Sequence, residues 1–243
     1  MLFAVAALLA CAAAQAAPAL SQVDIPFKGG GPLNEVPPSL VRMLIGLSLL
    51  SFIPFALIAM TSFTRIVVTL SFLRQALGMQ ETPPNMVLIT LAAFMTFFTM
   101  APTLEASYRS GLGPYLEGRL STSQAAELGM APIRKFMSAH VRPEELLSVS
   151  ELAKADPPGA EGEVPLRVLV PAFMLSELRA AFTAGFIIFL PFLLIDLVVA
   201  SVLMALGMMM VPPVSISLPL KLLLFVLIDG WSLIIRSIAG AYS

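Results

Sequence analysis

Asp196 and Lys221 are a lone acid and a lone base, each inside a long apolar run, and the midpoint between them falls between Met208 and Met209. The first run reads AFTAGFIIFLPFLLIDLVVASVLMAL and the second SISLPLKLLLFVLIDGWSLII, with the uncharged turn Gly207-Met208-Met209-Met210-Val211-Pro212-Pro213 between them. A charge in hydrocarbon costs about 2.5–3.5 kcal/mol by insertion scales, so such residues face protein or water and have partners. If the chain reverses at the methionines and both arms rise equally, acid and base reach the same depth. Each then either snorkels or hydrogen-bonds within its own subunit, or the two pair between helices or between copies and hold an assembly in register. Breaking a buried pair of that kind costs about 3–5 kcal/mol, because one charge is stranded. Asp229 lies about 12 Å beyond Lys221 along a continuous helix and needs a partner of its own.

Met208, Met209 and Met210 have two readings of equal weight. Methionine is a flexible core filler, and the chain contains 14 of them. Three in a row, after a glycine and before two prolines, also suit a deformable gasket, which several copies in a ring would turn into a constriction. Further along, Glu177 and Arg179 place a carboxylate and a guanidinium at the entrance of the first of the two runs. As a surface pair they would contribute only about 0–1 kcal/mol, so their functional reading is a subunit contact. Arg65 and Arg74 read as cytoplasmic anchors, and Arg236, beyond the second run, as an interfacial one. Enzymatic motifs are missing: there is no HExxH, no GxSxG and no P-loop. Gly111-Leu112-Gly113-Pro114 lacks the third glycine of a dinucleotide turn. Carboxylates in membrane helices can relay protons, which keeps a proton-coupled small-molecule transporter using Asp196 and Asp229 open as an alternative. A single His and a single Cys exclude a multi-cysteine zinc site and an internal disulfide, and no cofactor is called for.

The elements that must position these residues are apolar helices. Hydrophobic residues make up 58% of the chain and charged ones 12%, against about 25% charged in a soluble domain. With a mean hydropathy of +0.92, this describes a polytopic membrane protein. A net charge of −1 gives no basic face for nucleic acid.

Residues 1–16 are apolar and end in Ala14-Gln15-Ala16, which fits a signal peptide with a small-residue cleavage site, although no Lys or Arg precedes the apolar core. An uncleaved extra span, or lipidation at Cys11, are the other readings of this segment. Residues 17–39, rich in Pro and Gly, form a linker. A first hydrophobic hairpin occupies 40–104, with spans at Leu40–Met60 and Met86–Leu104. A polar connection lies between them, helical from Phe63 to Leu77 and ended by Gly78 and Thr82-Pro83-Pro84. Residues 105–165 have the only soluble composition. The acids outnumber the bases there by nine to six between Glu105 and Glu163, which suits a small helical domain. A second hairpin, 166–243, carries the Met-rich turn. Positive loops favour the cytoplasm, so with a cleaved signal Arg65, Arg74 and the Met turn fall inside and the acidic domain outside. The fold class is therefore all-α: helical hairpins with about four hydrophobic segments plus a small extracytoplasmic helical domain.

At this point the order of several blocks is similar to the FliP family of flagellar export-gate proteins. The blocks are Phe63-Thr64-Arg65-Ile66, Leu73-Arg74-Gln75-Ala76-Leu77-Gly78, Thr82-Pro83-Pro84-Asn85, Met100-Ala101-Pro102, and Leu169-Val170-Pro171-Ala172-Phe173 with Ser176-Glu177-Leu178. They continue with Leu190-Pro191-Phe192-Leu193, Ile195-Asp196-Leu197-Val198-Val199, Gly207-Met208-Met209-Met210, Ile216-Ser217-Leu218-Pro219, and Lys221-Leu222-Leu223-Leu224-Phe225 through Asp229-Gly230-Trp231. The resemblance runs from about Leu40 to Ile235. It implies a pore-forming core subunit of a type III protein export gate in the bacterial inner membrane, at the flagellar basal body. Such a subunit homo-oligomerises, joins FliQ-like and FliR-like membrane partners and other export-apparatus proteins, and passes unfolded flagellar proteins. It also implies that Met208, Met209 and Met210 form the constriction and that Asp196 and Lys221 matter to the gate. An injectisome export-gate subunit is the related alternative, sharing the second half of the chain closely. The Phe63-Thr64-Arg65-Ile66 block, the signal-like start and Val198-Val199-Ala200-Ser201 favour the flagellar branch.

Overall fold

The structure is a computed structural model that describes Leu40, Met43, Leu44, Ser48, Ser51, Phe55, Ala56 and residues 58–79, 82–154, 164–208 and 210–242. The proposed signal, Cys11, the linker and most of the first span lie outside the described residues, as does Met209. All geometry below concerns the compact unit Phe52–Ser243.

Every regular element among the described residues is helical. Helix α1 (Phe63–Ala76) leads into α2 (Asn85–Ser107), which continues through a π-helical turn, Tyr108–Leu112, to Leu116. Then come α3 (Thr122–His140), α4 (Pro143–Leu152), α5 (Leu166–Ala205), α6 (Val214–Leu227) and α7 (Gly230–Gly240). Among the described residues, two helices are long and apolar enough to cross a membrane: Asn85–Leu116, of 32 residues, and α5, of 40. The bent pair α6–α7 makes a third if it counts as one span. At 1.5 Å per residue α5 is about 60 Å long, twice the ~30 Å hydrocarbon core, so only part of it can lie in lipid.

The helix ends follow from local chemistry. Helix α1 stops at Gly78, whose φ of +77° admits the left-handed closure: Gly78 N–H donates to Gln75 O and Met79 N–H to Arg74 O. Helix α5 stops in the same way at Gly207 (φ +76°), with Gly207 N–H bonded to Met204 O and Met208 N–H to Leu203 O. Ser121 and Gln124 cap α3 reciprocally. Helix α4 opens with Pro143 and places Glu144 and Glu145 in its first turn, where the helix dipole favours acids.

Helix α1 packs mainly along α5, with α2 on its other flank, and α4 and α6 also lie on α5. One core cluster joins Ile66 and Leu70 of α1 to Leu88, Ala92 and Met95 of α2 and Ile238 of α7. A second joins Leu73 and Ala76 to Phe192 of α5 and Phe225 of α6. A third, Met100, Phe136, Met137, Leu169 and Phe173, ties α3 onto α2 and α5. The helical stretch expected from Phe63 is present, but the last apolar run is not one rod. At Asp229 the backbone turns left-handed (φ 50°, ψ 54°), and α6 and α7 diverge by 63°. The axial distance from Lys221 to Asp229 expected for a straight helix therefore does not apply.

Candidate functional site

The reversal at Gly207 and Pro212-Pro213 lays α6 back along α5, and Lys221 Nζ donates to Asp196 Oδ2 at 2.7 Å. The pair is intramolecular and asymmetric: the Lys221 side chain is 8% exposed and that of Asp196 39%. The lysine is sunk between helices while the carboxylate keeps one edge open. Ser217, one turn before Lys221 on the same face, is buried with it. Beyond this clamp the tip projects: Met208 is 44% exposed and Met210 96%. A nearly bare methionine between a glycine stop and two prolines is not filling this chain's core. Asp229 is exposed at the α6–α7 break and makes no ion pair among the described residues.

Glu177 and Arg179 do not act together. Two residues apart on a helix they point to different faces. Glu177 is completely buried, and Arg65 Nη2 donates to its Oε1 at 2.7 Å while the Tyr242 hydroxyl donates to its Oε2. Arg179 points outward and bridges Glu144 Oε2 at 2.8 Å and Glu145 Oε1 at 2.9 Å on α4. The surface pair expected from sequence is thus replaced by two separate contacts, one buried and one exposed.

Arg65 and Arg74, expected as cytoplasmic anchors, both have partners within the chain. Arg65 is held inside by Glu177, with its guanidinium carbon 4.7 Å from the centre of the Tyr242 ring. Arg74 donates to Asn85 Oδ1 at 2.6 Å and Pro83 O at 3.2 Å, closing the turn between α1 and α2. Burial and the neighbouring Glu177 carboxylate push the Tyr242 hydroxyl far above the ordinary phenol range, so it stays a donor.

The FliP family's sequence profile matches residues 46–238. The chain belongs to the FliP family. Its relatives include the flagellar biosynthetic protein FliP of Cereibacter sphaeroides, 52% identical over 202 residues, covering 83% of this chain and 67% of the relative. The FliP of Bacillus subtilis strain 168 is 50% identical over 204 residues, 84% of this chain and 92% of its own. That of Caulobacter vibrioides is 48% identical over 240 residues, 98% of this chain and 89% of its own. The match runs from before α1 to residue 238 within α7 of this FliP-family chain, the clamp and the Met tip included.

Sequence reasoning missed three members of the Glu177 cluster. The His140 ring lies tilted against Phe136 and Tyr242, centroids 4.5 Å and 5.2 Å apart, with Nδ1 at 2.8 Å from Phe136 O. Tyr242 lies beyond the last apolar run, and nothing in its local sequence signals a buried role. Arg65 could have been found, since a carboxylate in an apolar segment requires a cation and α1 offers few.

Proposed function

We propose that this FliP-family chain is a pore-forming core subunit of the flagellar type III protein export gate, conducting unfolded flagellar proteins across the bacterial inner membrane. The observation that carries the reading is the α5–α6 hairpin. A buried lysine clamps its arms at Asp196, and its tip presents Met208 and Met210 to whatever fills the centre of an assembly. Family membership and the flagellar names of the relatives support the flagellar branch over an injectisome. A proton-relaying small-molecule carrier has less support, because Lys221 engages Asp196 and Asp229 sits at a helix break.

In this reading several copies join FliQ-like and FliR-like subunits and other export-apparatus proteins at the flagellar basal body. Phe182, Phe186, Leu194, Leu197, Leu223 and Val226 stand exposed on α5 and α6, a surface for lipid or neighbouring subunits rather than water. Residues 1–16 are a signal, 17–39 a linker, 40–104 and 166–243 two hydrophobic hairpins with four membrane-type segments between them, and 105–165 an extracytoplasmic domain. Gentle purification of the tagged chain from its native membrane tests the assembly. A large complex with several copies and two small hydrophobic partners is the expected result. A stable monomer or dimer that persists through a change of detergent would overturn the reading.

A further inference from the structure

The reversal between α5 and α6 gathers sulfur as well as bulk. Met204, Met208 and Met210 are 61%, 44% and 96% exposed, so their thioethers face outward from this chain. Backbone hydrogen bonds fold the stretch that carries them over itself. Gly207 N–H donates to Met204 O at 3.0 Å and Met208 N–H to Leu203 O at 2.9 Å, which turns Met208 back over the end of α5. Val211 N–H then donates to Met208 O at 3.3 Å, closing a tight turn that carries Met210. The three methionines are thus attached to one compact loop, held by the left-handed Gly207 on one side and Pro212-Pro213 on the other. A methionine side chain is unbranched, with three rotatable bonds, and reaches across a loop of this size. Bringing the sulfurs onto a common point therefore asks for rotamer changes and no movement of the backbone.

The donor set at this loop is uniform. Between Asp196 and Lys221 there is no other charged residue, no His and no Cys. Asp196 is engaged by Lys221 and lies about 12 Å before Met204 along α5. Among the described residues no three His, Cys, Asp or Glu side chains come together. Neutral thioethers do not compensate the dehydration of Mg²⁺ or Ca²⁺, which require oxygen, and Zn²⁺ takes thiolate, imidazole or carboxylate. Soft, polarizable sulfur selects Cu(I) instead, and Ag⁺ shares its charge, closed shell and softness. An uncharged site also suits a monovalent ion better than a divalent one, because it offers no negative charge to offset the second positive charge. Leucines would give the tip equal apolar bulk, whereas methionines add a ligand set.

We propose that the α5–α6 turn is a soft-metal site, in which the Sδ atoms of Met204, Met208 and Met210 bind one monovalent cation of the Cu(I)–Ag(I) class. Binding is simple coordination, with no change in the oxidation state of the ion or of the sulfurs. The site is built from one chain, so it does not depend on how copies assemble, and its failure would leave the export-gate reading untouched.

The test is native mass spectrometry of the detergent-purified full chain, titrated in chloride-free buffer with Ag⁺ as the redox-inert probe and with Zn²⁺ for contrast. The chain carries Cys11→Ser, which removes its one thiol as a competing ligand. Retention of one Ag⁺ per chain and of no Zn²⁺ is expected. The combined variant Met204→Leu, Met208→Leu and Met210→Leu keeps the bulk of the tip, removes its sulfur and should lose the ion. Met86→Leu, at a 73% exposed position on α2, should retain it as before. Circular dichroism and melting temperature show that each variant keeps its fold. The proposal is overturned if the chain retains no Ag⁺, if it retains Zn²⁺ equally, or if the combined variant still binds Ag⁺ like its parent. It is also overturned if Met86→Leu lowers retention as much as the combined variant does, since the ion would then be scattered over exposed methionines.

Discussion

Glu177 and Arg65 stand 112 positions apart in the chain and meet at 2.7 Å, the carboxylate wholly buried and the arginine side chain 16% exposed. Tyr242 satisfies the second carboxylate oxygen, so three segments, α1, α5 and the stretch after α7, converge on one acid. This is the arrangement in which a buried charge is tolerated: each carboxylate oxygen that burial takes from water finds a protein donor.

Neutralising that acid should cost more than any surface change. Glu177→Gln leaves the Arg65 guanidinium enclosed without a counter-charge, a loss of about 3–5 kcal/mol. The expected outcome is a sharply lower melting temperature in detergent and a reduced amount of protein in the membrane. Replacing both partners, Arg65→Met with Glu177→Leu, should recover part of the loss, since no lone charge remains. A Glu177→Gln protein that melts like the wild type would show that the pair contributes nothing.

The Asp196–Lys221 clamp predicts a sign-dependent pattern. Asp196→Lys sets two cations against each other between α5 and α6 and should abolish motility in a strain that depends on this chain. The exchanged variant, Asp196→Lys with Lys221→Asp, restores the attraction and should recover export in part. Because Asp196 is more exposed than Lys221, the exchange moves the lysine to the open side and buries the acid, so full recovery is not expected. Normal motility with neutral residues at both positions would sink the pairing role. Asp196→Asn alone should cost about 1–3 kcal/mol, the desolvation of a buried donor whose partner has weakened.

The Met tip is open to a different readout. Met208→Ala, Met209→Ala and Met210→Ala together remove flexible, polarizable side chains from a tip that the Gly207 stop and Pro212-Pro213 hold in place. Stability should change little, because Met210 is almost bare and Met208 nearly half exposed. Membranes carrying the assembled gate should instead leak ions when no substrate is moving. Unchanged conductance in that strain would remove the gasket role.

Much of this architecture is legible in the sequence, for identifiable reasons. The symmetric placement of Asp196 and Lys221 about the turn anticipates their pairing, because a hairpin with arms of equal rise brings equidistant residues together. Gly78 and Gly207 mark helix ends because a positive φ is cheap only for glycine. The Glu177 cluster is not legible in the same way. A carboxylate and a guanidinium two residues apart look like neighbours in a string, and only the helical period sends them to opposite environments. The break at Asp229 has a local signal that the apolar run around it masks: Asp-Gly is a turn dipeptide and aspartate tolerates the left-handed region, yet the acid reads at first as one charge inside a continuous apolar run. Tyr242 is recruited purely by tertiary packing.

Arg179 supplies the contrast that separates folding from assembly. Its bridges to Glu144 and Glu145 are short, but Arg179 is 52% exposed and Glu144 72%. Exposed pairs contribute about 0–1 kcal/mol, because solvent screens the attraction and ordering long side chains costs entropy. Arg179→Ala should therefore leave the melting temperature of the isolated chain within a few degrees of the wild type. If the residue serves this chain alone, export should persist with it. A normal melting temperature together with lost export and a dissociating complex would instead assign Arg179 to a contact with another subunit, the role its position at the edge of the apolar stretch suggests. Measuring melting and motility on the same variant separates the two, since a folding defect lowers both and an interface defect only the second.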